Sequence, residues 1–84
     1  MNFEELEKLG YKEESDIRGS FSCHFKNDDG DTITIVNSLG EWLFGKSAEV
    51  KTENGFAITT PSKPLTAEEI HACNVIIERL RKED

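Results

Sequence analysis

Residues 17–36 constrain the fold of this chain more than any other stretch, because they carry two strands and the turn between them. Ile17, Phe21, Cys23 and Phe25 fall on odd positions, whereas Arg18, Ser20, Ser22, His24 and Lys26 fall on even ones. A two-residue period of this kind marks a strand with one buried face. Thr32-Ile33-Thr34-Ile35 repeats the period with β-branched residues, which suit a pleated surface. Asn27-Asp28-Asp29-Gly30-Asp31 lies between them and is dense in turn formers. A two-residue loop at Asp29-Gly30 would set Phe25 against Thr34 and mix core with solvent residues on one face. A three-residue loop, Asp28-Asp29-Gly30, pairs Phe25 with Ile33 and Cys23 with Ile35, and leaves the left-handed position to Gly30.

The same logic extends the hairpin. If Ser38-Leu39-Gly40 is a second three-residue loop, Asn37 faces Glu41 and Ile35 faces Leu43. Trp42 and Phe44 then point to the opposite face, near Val36 and Thr34. Residues 41–51 form a third strand whose apolar phase changes at Gly45-Lys46, the mark of a β-bulge. A turn over residues 52–55 pairs Thr52 with Phe56 and Val50 with Ile58, and residues 56–60 form a fourth strand.

Helices bracket the strands. Phe3, Leu6 and Leu9 make a short apolar stripe, with Asn2 as cap, Glu5 completing a capping-box pattern, and Gly10 at the left-handed stop. Residues 12–16 read as a polar connector. The C-terminal helix carries the clearest signature: Thr66-x-x-Glu69 is a capping box, and Leu65 with Ile70 is a hydrophobic staple. Ile70, Cys73, Ile77 and Leu80 line one face, flanked by Val75 and Ile76. The expected fold is a single α+β domain over residues 1–84: short N-terminal helix, four-stranded antiparallel β-meander, and C-terminal helix packed on the sheet. At least one helix covers the Phe21, Phe25, Ile33 and Ile35 face. The other face holds Trp42 and Phe44, and is either capped by the second helix or open.

Charge and composition exclude several functions. The net charge of −7 is concentrated in residues 1–16, which hold six acids and two lysines. A chain this acidic disfavours direct nucleic-acid binding and suits a basic partner. The longest apolar runs are far below the roughly 20 residues of a membrane span. Two cysteines without framework spacing suggest a reducing, cytoplasmic setting.

Cys23, His24, His71 and Cys73 do not converge as zinc ligands. Strand neighbours point to opposite faces, and helix positions two apart lie about 200° around the axis. A thiol–imidazole pair from one residue of each is the single route to a small cysteine hydrolase, but both cysteines fall on the core face, where thiols are inert. The 27–31 loop fails as an EF-hand, because its first and twelfth positions would be Phe25 and Val36. Phosphate loops and nucleophile elbows are also missing from the sequence. No catalytic, cofactor-binding or metal-binding residues are therefore assigned.

Phe3-x-x-Leu6-x-x-Leu9-Gly10-Tyr11 at one end and Leu65-Thr66-x-Glu68-Glu69-Ile70 at the other resemble the ends of small accessory proteins of bacteriophages and prophages. The resemblance covers about 20 terminal residues and implies a small protein that binds a host or viral protein. The expected function is a non-enzymatic, acidic protein-binding module, such as a phage-encoded inhibitor of a host defence nuclease. Its expected partner-binding residues are Trp42, Phe44, Val36, Glu4, Glu7 and Glu13. A structural accessory protein that self-associates into a homo-oligomer through the same face is the alternative.

Overall fold

A computed structural model describes residues 3–14, 22–51, 57–59 and 62–83. The elements run α1 (Glu4–Glu7), β1 (Lys12–Glu13), β2 (Ser22–Lys26), β3 (Asp31–Ser38), β4 (Glu41–Lys51), β5 (Ala57–Thr59) and α2 (Ala67–Glu83). The sheet order is β1-β2-β3-β4-β5, antiparallel throughout. The expected four-stranded meander is β2 to β5. The connector after Tyr11 adds a two-residue edge strand, with Lys12 opposite Lys26 and Glu13 opposite Phe25. The capping of α1 by Asn2, the first strand residues 17–21, and the 52–55 turn with Phe56 lie outside the described residues. No helix among the described residues is long and apolar enough to cross a membrane.

The first hairpin has the expected register, with Phe25 opposite Ile33 and Cys23 opposite Ile35. Its turn is closed by Gly30 at φ 87°. The Asn27 Oδ1 accepts the Asp29 and Asp31 backbone N–H groups at 3.1 and 2.8 Å, which holds the turn from inside.

The second hairpin differs. Ser38 pairs with Glu41, leaving Leu39-Gly40 as a two-residue loop. Both residues are left-handed, at φ 53° and 87°, the geometry of a type I′ turn, whose twist matches the flanking strands. The Asn37 Oδ1 braces it by accepting the Gly40 N–H at 3.0 Å. Pairing then runs without a bulge from Ser38–Glu41 through Ile35–Phe44 and Ile33–Lys46 to Asp31–Ala48. One residue of slip reverses every side chain. Trp42 and Phe44 therefore face inward, and Leu43 faces outward opposite Val36. The phase change expected at Gly45-Lys46 came from taking Leu43 as core. With Trp42 and Phe44 inside, the even positions alternate regularly, and Lys46 is a charged member of the inner row.

Both helices lie on that inner face. Phe3, Leu6, Tyr11, Phe25, Ile33, Ile35, Ala72, Cys73, Ile76 and Ile77 form the buried core, with Trp42, Phe44, Leu65 and Leu80 packed around it. Phe3 meets Phe25 edge-on at 5.0 Å between ring centroids, a favoured aromatic geometry. The core also explains why α1 holds at four residues, far below the length at which a helix persists alone. Its end is a Schellman motif: the Tyr11 N–H bonds the Leu6 carbonyl, and the Gly10 N–H that of Glu7. The Asn2–Glu5 capping pattern lies outside the described residues, but the Glu5 side chain itself is in place. It reaches across to α2 and accepts both Arg79 guanidinium N–H groups at 2.9 and 2.8 Å.

The capping box of α2 forms as expected. The Glu69 N–H bonds Thr66 Oγ1 at 3.1 Å, and the Thr66 N–H bonds Glu69 Oε1 at 2.9 Å. The buried face is rotated from the expected one. It runs through Glu69, Ala72, Cys73, Ile76 and Ile77, while Ile70 is 41% exposed. Glu69 is drawn inward by Lys46 and Tyr11, and the next residue around the helix is carried out to solvent.

Candidate functional site

The one buried charged cluster among the described residues centres on Glu69. Lys46 Nζ donates to both of its carboxylate oxygens at 3.1 Å. The Tyr11 hydroxyl also donates to it, and the Thr66 N–H completes the set. Lys46 Nζ is 3.9 Å from Asp31, whose other oxygen takes Lys63 Nζ at 2.7 Å. Burial alone would raise the Glu69 carboxyl, but the Thr66, Tyr11 and Lys46 hydrogen bonds together outweigh it and hold it below the usual carboxylate range. Tyr11 is pushed strongly upward by burial and by the adjacent carboxylate, so it stays a protonated donor. Lys63 holds Asp31 low. With its donors and acceptors matched in this way, the cluster ties β3, β4, the α1–β1 junction and α2 together.

The two faces of the sheet differ in kind. The outer face carries Ser22, His24 and Lys26 from β2, Thr32, Thr34 and Val36 from β3, and Leu43, Gly45 and Ser47 from β4. No helix among the described residues covers it. His24 Nδ1 and Thr34 Oγ1 lie 3.2 Å apart on it. At the hairpin end, Val36 and the half-exposed Leu43 face each other, and Leu39 in the turn is 103% exposed. Glu41 is exposed beside them.

The expected partner-binding residues are thus not brought together. Val36 lies on the open face. Trp42 and Phe44 lie on the covered face, packed against the core, because the two-residue turn reverses their sides. Glu4 and Glu7 are exposed on α1 in the helical layer, and Glu4 pairs with Lys8 at 3.3 Å. Glu13 is exposed at the β1 edge. Sequence reasoning missed Leu39 and Leu43 as the exposed apolar pair and Lys46 as an inner residue. The signal for Leu43 and Lys46 was the even spacing of Trp42, Phe44, Ala48 and Val50, which leaves Lys46 in phase with them and Leu43 out of phase.

Both thiols are shifted away from the thiolate form. Burial and the charge of Glu69 push the Cys73 thiol up to about 11, and burial with the charge of Glu13 raises Cys23. No group of three or more His, Cys, Asp or Glu side chains among the described residues is arranged to hold a metal ion. Between α1 and α2 runs a shallow apolar groove of about 420 Å³, with Leu9, Ala67 and Ala72 in its wall and Lys8, Glu68 and His71 at its rim.

No family model matches the chain, and no curated protein or solved structure matches it.

Proposed function

We propose that this protein is a non-enzymatic binding module that docks another protein on the outer face of its sheet. The observation that carries the reading is the cross-strand apolar pair of Val36 and the half-exposed Leu43 on a face that no described helix covers, with Leu39 fully exposed in the adjoining turn. Such clusters on small domains mark interaction sites more often than isolated exposed residues do. The partner is a protein with an apolar contact flanked by basic groups: Glu41 borders the cluster, and the whole chain carries a charge of −7. The terminal motifs add a setting, that of a phage-type accessory protein acting as an inhibitor of a host protein. Trp42 no longer serves as the anchor; Leu43 takes that role.

A photo-crosslinking residue at position 43, compared with one at position 71 on the helical layer, tests the assignment in bacterial lysate. A crosslink to a protein with a basic surface from position 43 alone, abolished by Val36→Ser, is the expected result. Crosslinking confined to position 71 would place the interface on the helices. Crosslinks only between copies of this chain would make it a self-associating protein instead.

A further inference from the structure

We infer that this protein pairs with a second copy of itself along the open edge of β4, residues 41–45, so that the two sheets join into one. The hydrogen-bond parity of β4 is the first observation. In an antiparallel ladder, successive residues of a strand point their backbone groups alternately to one side and the other. The two-residue loop makes Ser38–Glu41 the first bonded pair. Residues 41, 43, 45 and 47 therefore bond β3, and Trp42, Phe44, Lys46 and Ala48 point their backbone groups away from it. On that far side β5 pairs with Glu49, Val50 and Lys51, and the Lys46 carbonyl accepts the Lys63 N–H at 2.7 Å. The chain then leaves the edge and enters α2. The backbone N–H and C=O groups of Trp42 and Phe44 have no partner among the described residues.

The edge is also unprotected. Sheet edges are ordinarily blunted by shortness, by proline, by a bulge or by lysine. β1 is two residues long and begins with Lys12, and β5 is three residues long. Residues 41–45 pair with β3 without a bulge, contain no proline and carry one charge, Glu41.

The occupant that this stretch fits is its own copy. A two-fold axis through Leu43, perpendicular to the sheet, sets Trp42 of each copy opposite Phe44 of the other. Each such pair exchanges two N–H···O bonds, so every open group on both edges is used. An axis through Trp42 would instead bring Phe44 against Gly40, whose N–H already goes to Asn37 Oδ1. Leu43 meets its own copy at a non-bonded position, where side chains come closest, and its half-exposed side chain is covered there. Glu41 falls opposite Gly45, so no like charges face each other across the seam. The contact is isologous, as a closed two-fold dimer requires. The axis keeps both helical layers on one side and both outer faces on the other, so the pairing does not depend on a docked partner.

Sedimentation equilibrium over a dilution series is expected to show a monomer–dimer equilibrium. Each copy carries a charge of −7, so added salt should screen the repulsion and tighten the dimer. Leu43→Lys sets two cations against each other on the axis and removes the apolar contact. It should weaken association at least about tenfold with the circular dichroism of the monomer unchanged. Leu43→Cys brings two cysteines to a Cα separation of about 4.5 Å, within disulfide reach. Under mild oxidation it should link copies about tenfold faster than Leu39→Cys, which is fully exposed but lies off the axis. If Leu43→Lys does not fold, the cysteine comparison decides. Association that weakens with salt, association unchanged by a folded Leu43→Lys, or equal linking at positions 39 and 43 overturns the inference. A mass of one chain at every concentration up to about 1 mM also overturns it, and leaves the edge to a strand of another protein.

Discussion

Lys46 Nζ lies 3.1 Å from each carboxylate oxygen of Glu69, joining the inner row of β4 to the first turn of α2. Both side chains are almost wholly buried. Breaking such a pair leaves one charge without a partner, which costs on the order of 3–5 kcal/mol. Glu69→Ala should reach that range, because it also opens the capping box. Replacing Lys46 and Glu69 together with Met and Gln should cost much less than the sum of the single changes. A double-mutant cycle in urea measures the coupling, and strict additivity would show that the two residues act independently.

The capping box and the helix core separate by magnitude. Thr66→Ala removes a side-chain acceptor from the Glu69 N–H and should cost about 1 kcal/mol. Ile77→Ala empties a core position and should cost about 2–5 kcal/mol. Ile70→Ala, at an exposed position, should stay within about 0.5 kcal/mol of wild type. Equal losses at positions 70 and 77 would mean that α2 docks with a different face.

Acid should unfold the protein through its paired carboxylates. Glu5 is held low by its bonds to Arg79, Asp31 by Lys63, and Glu69 by hydrogen bonds that outweigh its burial. A carboxyl depressed in the folded state contributes stability that is complete above its unfolded value and lost as pH falls through the folded one. Urea midpoints should therefore be level near neutrality and fall below about pH 4. Tyr11 and Cys73 have the opposite sign. Both are raised by burial, so their contribution is present at neutral pH and fades once the solution passes the unfolded values, about 8.5 for Cys and 10 for Tyr. Glu69→Gln should flatten the acid limb, and an unchanged limb would place the titration elsewhere.

The turn offers a stabilising change. Leu39 makes no burial to lose and sits in the left-handed region. Leu39→Asn should stabilise the fold by about 1 kcal/mol, since an L-residue with a branched apolar side chain is disfavoured there and Asn-Gly is the preferred type I′ pair. A loss of stability on thermal melting would indicate that Leu39 has a contact in solution.

The acids of α1 and β1 should affect how fast a partner arrives rather than how long it stays. Glu4, Glu7 and Glu13 are exposed and lie away from Val36 and Leu43. Changing all three to Gln should slow association and weaken its salt dependence, with little effect on dissociation. A faster dissociation would place these residues inside the contact.

The sequence by itself determined the elements whose signals are local. Two-residue alternation with a Gly at the left-handed position specified the first hairpin and its register, because only one loop length kept Phe25 and Ile33 on one face. Thr66 and Glu69 specified where α2 begins, since a capping box is complete within four residues. Leu9-Gly10-Tyr11 likewise specified where α1 ends. Tertiary structure decided what local patterns left balanced. Both loop lengths at residues 38–40 bury something apolar, Leu43 in one case and Trp42 with Phe44 in the other. The structure takes the second, with Trp42 and Phe44 packed against a core built from both helices. On α2, Glu69 lies inward against Lys46 and Tyr11 while Ile70 lies outward, and both helices take one face of the sheet. The even spacing of Trp42, Phe44 and Ala48 in β4 is compatible with an outward Leu43, but that the face bearing Val36 and Leu43 stays open follows from both helices packing on the other side, which no spacing within a single strand records.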